Sequence, residues 1–222
     1  MIDSNILNYS CLETLNVSRE TFPELEEFRK IIIKKNQSIN LISKNTEKIS
    51  KERHIIDSAQ IIDLIDLNRS ICTDIGSGSG LPGIVLAIIM KYKKSEMKFK
   101  LYEKSFHKSK FLEEVSNKFN LNVEVLQKDI FEEKSLSSDI IVARAFKPLP
   151  TILNLVHNNF KYFKEVILFL GKNGKEILEE VSTEWKFEYE QKKSITNPDS
   201  NILKIKNLEK KKRYERKDNF NN

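Results

Sequence analysis

Residues 71–92 read ICTDIGSGSGLPGIVLAIIMKY, and no other stretch limits the fold so strongly. A short β-branched run leads into a turn that holds four of the chain's six glycines, and an apolar helix follows directly. In a doubly wound sheet such a strand-to-helix turn lies at the carboxyl edge of the strands, where ligands bind. Gly76, Gly78 and Gly80 let the chain turn tightly and let a ligand approach the backbone N–H groups without a Cβ in the way. Pro82 suits the first turn of the helix. A bare turn does not call for so many glycines in a chain this poor in them.

The rest of the chain supports the same architecture. Short apolar runs recur at ICTDI (71–75), KFKLYE (98–103), VEVLQ (123–127), DIIVARA (139–145) and EVILFL (165–170), with helical stretches between several of them. This is the pattern of a mostly parallel sheet with helices on both faces. In HKSKFLEEVSNKF the residues Phe111, Leu112, Val115 and Phe119 fall at helical spacing. Upstream, residues 1–66 read as a helical region packing on the main domain. Leu25, Phe28, Ile32 and Ile39 line one face of a first helix that begins near Pro23, and Ile55, Ile56, Ala59 and Ile62 line a second over 47–65. Downstream, WKFEYEQ and ILKIK (202–206) predict an antiparallel-looking pair joined by the turn SITNPDSN. Residues 67–208 form the α/β domain in this reading, and the basic stretch 209–222 has little to bury and reads as a disordered tail.

Composition narrows the classes. The formal charge of +6 suits a polyanionic partner as well as it suits a merely lysine-rich surface. Cys11 and Cys72 lie far apart and outside any ligand pattern, which predicts neither a disulfide framework nor a metal site. The longest apolar run, Ile84 to Met90, is too short to span a bilayer, so the expectation is a cytoplasmic protein with no membrane partner.

Two ligand fingerprints overlap in the glycine turn. Gly78, Gly80 and Gly83 spell G-x-G-x-x-G, with Glu103 at the end of the next strand as a nicotinamide dinucleotide site asks. From Asp74 the same residues spell D-x-G-x-G-x-G, which resembles the loop of Rossmann-like, class I S-adenosylmethionine-dependent methyltransferases. Both readings give Glu103 the two ribose hydroxyls. A dehydrogenase needs a second nucleotide-binding half, whereas a nucleoside plus an amino acid needs only half the sheet. Asp129, just past the third strand, suits the adenine amino group in the second reading, or else caps a helix at IFEE.

Four stretches carry a closer resemblance: NQSINLIS (36–43), RHIIDSAQ (53–60), DIGSGSGLPGIVLAI (74–88) and DIIVARAFKPLP (139–150). Together they resemble the bacterial small-subunit ribosomal RNA methyltransferase G family, also called glucose-inhibited division protein B. The resemblance implies methylation of N7 of one guanine of small-subunit (16S) ribosomal RNA, with S-adenosyl-L-methionine as cofactor and the RNA or the small ribosomal subunit as partner. It also implies cofactor contacts at Gly76, Leu81, Asp129, Ile130 and Arg144. The family usually has tryptophan where this chain has Lys35, and Leu-Lys-Gly where it has Leu170, Gly171 and Lys172, so Lys172 is carried over as a substrate contact in an altered order.

Guanine N7 has an exposed lone pair and no proton, so its methylation calls for no general base and no catalytic residue is expected. Proximity and orientation do the work, worth roughly 7 to 11 kcal/mol. Neither cysteine is placed to act as the nucleophile that pyrimidine C5 methylation needs. Arg144 is expected on the cofactor carboxylate or on guanine O6, the plainer reading being a surface arginine paired to an acid. Arg53 and His54 are expected near the target nucleotide if the N-terminal helices pack over the sheet edge; otherwise Arg53 pairs with Asp57. The competing functions are a nicotinamide-dependent oxidoreductase and an RNA-binding module without activity. Nothing in the sequence forces more than a monomer.

Overall fold

The structure, a computed structural model, describes residues 8–212. Helix α1 (Phe22–Lys35) carries Pro23 in its first turn and Lys34 and Lys35 in its last, as helix-end electrostatics favour. It buries Leu25, Phe28 and Ile32. Residues 47–65 do not form the single helix their spacing predicts. A π-helical segment (Lys51–Ile56) runs into one α turn (Asp57–Ala59), and a 3-10 turn (Ile62–Leu64) follows. The expected inward residues Ile55, Ile56, Ala59 and Ile62 are nevertheless buried.

From residue 71 the chain alternates as expected: β1 (Ile71–Ile75), α2 (Gly83–Tyr92), β2 (Lys98–Tyr102), α3 (Phe106–Lys118), β3 (Val123–Leu126), β4 (Ile140–Ala143), α4 (Leu149–Asn159), β5 (Glu165–Leu170), α5 (Gly174–Glu184), β6 (Trp185–Lys193) and β7 (Asn201–Lys210). Pro82 sits at the N-cap of α2, one residue before the first turn. A small separate ladder pairs Leu136–Ser137 with Phe160–Tyr162.

The main sheet has the order β3-β2-β1-β4-β5-β7-β6. Neighbours are parallel from β3 through β5. β7 then pairs antiparallel with both β5 and β6. Among the described residues the sheet closes with this hairpin-like pair and there is no second nucleotide-binding half, so the fold gives no support to the oxidoreductase reading.

All four residues of β4 are buried, because layers cover both faces. Ile140 and Val142 belong to one core with residues of α1, α2, α3 and the 51–65 segment. Ile141 and Ala143, on the opposite face, pack with residues of α4, α5 and β7. This alternation follows from the two-residue period of a strand. Among the described residues no helix is long and apolar enough to cross a membrane.

Because α1 shares the core under β4, truncating it destabilises the whole unit. Phe28 is fully buried, and Phe28→Ala is expected to cost about 3–5 kcal/mol in a single cooperative denaturant transition. Chemical unfolding followed by two probes checks this; separate transitions for helix and sheet would contradict a shared core.

Candidate active site

The sheet order reverses between β1 and β4, and a cavity of about 670 Å³ opens at their carboxyl ends. That is room for a nucleoside with an amino acid attached. The loop after β1 forms its floor. Asp74 is 1% exposed, and its Oδ2 accepts the Gly83 amide at 2.9 Å. Burial pushes its carboxyl up to about 7, which the Gly83 N–H partly offsets. Oδ1 is buried without a hydrogen-bond partner.

Most of the loop amides are engaged inside the protein. Gly76 and Ser77 both donate to the Tyr102 carbonyl, at 2.9 and 3.0 Å, and Gly80 donates to Ser77 O at 2.8 Å. Gly78 donates to Glu103 Oε2 at 2.9 Å, while Ser105 N donates to Oε1 at 2.8 Å. The N–H groups that the glycines were expected to offer a ligand are therefore mostly used inside the protein, and the loop presents no continuous row of them. It offers room instead. Gly76 has φ +71, and a Cβ there would overlap the Phe146 ring. At Gly78 a Cβ would meet only Gly76 O at 3.8 Å, so the backbone borders open cavity.

Asp129, Ile130 and Phe131 form a second wall. Asp129 caps no helix: its Oδ1 accepts from Phe131 N at 3.1 Å in a turn, and Lys104 Nζ lies 3.5 Å from Oδ2. The Phe131 and Phe146 rings stack with centroids 5.9 Å apart. Ala145, between Arg144 and Phe146, takes φ +49, a left-handed conformation that costs a non-glycine residue about 1–2 kcal/mol. Such strain tends to gather at functional sites.

Arg144 forms the third wall. It is not a surface residue, since its side chain is 15% exposed. Its Nε pairs with Asp57 Oδ2 at 2.9 Å, and Nη2 donates to the Arg53 carbonyl and lies 3.4 Å from His54 Nδ1. Asp57 is therefore engaged by Arg144, and the local pair with Arg53 is not formed. A guanidinium only donates, so Nδ1 of His54 is the acceptor and Nε2 carries the proton, donated to Thr46 Oγ1 at 2.8 Å. Thr46 in turn donates to the Ser43 carbonyl. Burial, then the charges of Arg144 and Arg53, lower the His54 pKa to about 4.

Gly76, Gly78, Leu81, Glu103, Asp129, Ile130, Arg144 and His54 all line this one cavity. Arg53 is outside the lining and bears on the cavity only by holding Arg144 through its carbonyl. Lys172 lies on the exposed turn after β5, outside the lining. The sequence reading missed Phe131, Phe146 and the rim lysines Lys104, Lys108, Lys128 and Lys147. It also missed Asn36, whose Oδ1 accepts from Leu41 N and Ile42 N at 2.8 and 3.0 Å and so holds two further lining residues in place. The only sequence signal for Asn36 was its place in NQSINLIS.

The open glycine floor and the anchored Glu103 carboxylate, both in the cavity lining, fit a cofactor that carries ribose hydroxyls. The family model described as rRNA small subunit methyltransferase G matches residues 21–206. Ribosomal RNA small subunit methyltransferase G of Pelagibacter ubique (strain HTCC1062) is 52% identical over 206 residues, 92% of this chain and 97% of that protein. The protein of the same name from Rickettsia akari (strain Hartford) is 38% identical over 196 residues, 88% of this chain and 99% of its own. In three dimensions the chain is similar to M. jannaschii TYW2 in complex with AdoMet, with a TM-score of 0.51 and 17% identity over 78% of this chain and 80% of that one, a likeness of fold.

Two outcomes follow from this geometry. Gly76→Ala both forces an unfavourable φ and drives a methyl into Phe146, so the affinity for S-adenosylhomocysteine should fall at least about tenfold, with partial recovery in Gly76→Ala/Phe146→Ala. Calorimetric titration checks it, and unchanged affinity would mean the loop is not the floor of the binding site. For His54, the unfolded chain takes up a proton between pH 6.5 and about 4 that the folded chain refuses. Its contribution to stability is thus complete above 6.5 and lost as pH falls through that window. The stability-versus-pH slope should be shallower there in His54→Gln than in the wild type.

Proposed function

The chain belongs to the rRNA small subunit methyltransferase G family, and on that premise we infer that it methylates N7 of one guanine in small-subunit (16S) ribosomal RNA. S-adenosyl-L-methionine, when bound, supplies the electrophilic methyl group. The observation that carries the cofactor reading is the internal use of the glycine-loop amides. Gly76, Ser77, Gly78, Gly80 and Gly83 all donate to protein acceptors, which leaves no continuous row of loop amides for a dinucleotide pyrophosphate and suits a ligand without phosphate.

In this reading Glu103 binds the ribose. Each of its oxygens already accepts one backbone N–H and keeps a further lone pair for a hydroxyl. Asp129 accepts from the adenine amino group, Leu81 and Ile130 supply apolar contact, and Arg144 donates to the cofactor carboxylate or to guanine O6. His54 is not a base, since both ring nitrogens are engaged and the ring is held neutral. N7 needs none. Orientation is the chain's contribution, with Phe131 and Phe146 keeping water from the reacting atoms. Lys104, Lys108, Lys128 and Lys147 on the rim hold RNA phosphates, with Arg53 and Lys172 as outer substrate contacts.

Of the 1–66 region, residues 8–66 act as a helical cap on the 67–208 domain, supported by their shared core, and residues 1–7 lie outside the described residues. Of the basic 209–222 stretch, Glu209 and Lys210 are not tail but the end of β7, paired with Lys186 and Trp185, and residues 213–222 lie outside the described residues. We read the protein as acting as a monomer, and a ribosomal substrate supports a cytoplasmic setting.

The test is transfer of labelled methyl to small subunits from cells lacking the endogenous enzyme, followed by nucleoside analysis. Label in 7-methylguanosine at one site is expected. Label in another nucleoside would overturn the N7 assignment while leaving the cofactor in place. Glu103→Ala should weaken S-adenosylhomocysteine binding about tenfold or more with RNA affinity unchanged; equal loss of both would merge roles that are here kept apart.

A further inference from the structure

Asp57 belongs to none of the roles above, yet it is the best-connected buried acid near the pocket. Its side chain is 12% exposed. Oδ1 accepts from Thr196 Oγ1 at 2.6 Å, Gln60 Nε2 at 2.7 Å and Ser194 Oγ at 3.3 Å. Those donors leave Oδ2 to the Arg144 guanidinium at 2.9 Å. The brace is itself braced: Ile195 N donates to Gln60 Oε1 at 2.8 Å, Gln60 Nε2 also reaches Ser194 Oγ at 3.1 Å, and the Ser194 and Thr196 hydroxyls are 3.0 Å apart. Arg144 also lies over the Phe169 ring, 5.8 Å from its centroid. With Nε on Asp57 and Nη2 on Arg53 O, Nη1 makes no hydrogen bond to a described residue and is the donor left for a ligand.

We propose that Asp57 is the positioning residue that sets Arg144 in the pocket, and that the turn 194–196 between β6 and β7 belongs to the active-site framework because it sets Asp57. A guanidinium held at two edges by a carboxylate and a carbonyl loses most of its rotational freedom before a ligand arrives, and such preorganisation raises affinity without adding a contact. The turn donates three groups to this cluster and itself lines no part of the cavity. The proposal rests on the reading of Arg144 as a ligand contact, and its test keeps the two apart.

The test compares Arg144→Gln, Asp57→Asn, their double variant, and Ser194→Ala/Thr196→Val, with two readouts: the Kd for S-adenosylhomocysteine and kcat/KM on small subunits. Arg144→Gln should change at least one readout about tenfold or more. Asp57→Asn should change the same readout to a similar degree, and the double variant should be no worse than Arg144→Gln alone, because a residue that acts through another has nothing left to lose. Ser194→Ala/Thr196→Val keeps the ion pair and should shift that readout roughly two- to fivefold, with the shift vanishing in the Arg144→Gln background. This variant decides the matter if Asp57→Asn does not fold. Additive losses, or silence of the turn variant while Arg144→Gln is impaired, would overturn the positioning role and leave Arg144 its contact. Silence of Arg144→Gln in both readouts would overturn the contact, and the positioning role with it.

Discussion

Asp74, buried at the end of β1, accepts the Gly83 amide across nine residues of chain. That bond clamps the strand to the first turn of α2, and the loop between them must arch outward. Once it arches, the amides of Gly76 and Ser77 fall on the Tyr102 carbonyl at the end of β2, and Gly78 falls on Glu103 just beyond it. The cavity floor, the anchored Glu103 carboxylate and the β1–β2 edge are thus consequences of one closure. The closure also demands glycine: a Cβ on Gly83 would sit 2.6 Å from the very oxygen that accepts its amide.

Much of this was legible in the chain because it depends on neighbours in sequence. β1 and β5 coincide with their apolar runs, since a strand buried on both faces needs no alternation to be recognised. The glycine loop and Glu103 were legible because a strand-turn-helix followed by a strand fixes where the second strand ends. What escaped was set by distant partners. Asp57 has Arg53 at helical spacing, but its charge partner is Arg144, separated in sequence and brought close only by the sheet. SITNPDSN reads as a turn and is one, yet two of its hydroxyls serve a carboxylate from the N-terminal region. Asp129 fits a helix cap by composition, but no helix follows, because the chain turns instead to bring Phe131 against Phe146.

Three parts of the chain therefore meet at the Asp57–Arg144 pair: the N-terminal helical segment, the end of β4 and the turn between β6 and β7. A buried ion pair is a weak source of net stability, since desolvation offsets most of the attraction. Here the remaining lone pairs of the carboxylate are satisfied by an amide and two hydroxyls, the condition under which such a pair is tolerated. Ala145 follows immediately in a left-handed conformation. The chain reverses there between an arginine turned toward the helical segment and a phenylalanine laid over the glycine loop.

The π-helical segment Lys51–Ile56 bears on how such a chain can change over generations. A π turn holds about one residue more than an α turn, so the loss of a single residue there would restore α geometry while leaving the elements on either side facing as they do now. What such a loss would change is local: the Arg53 carbonyl and His54 both meet Arg144 from within the segment, and a shortened turn would present them differently. Selection would find slack in the length of this stretch for the fold and none for the pocket.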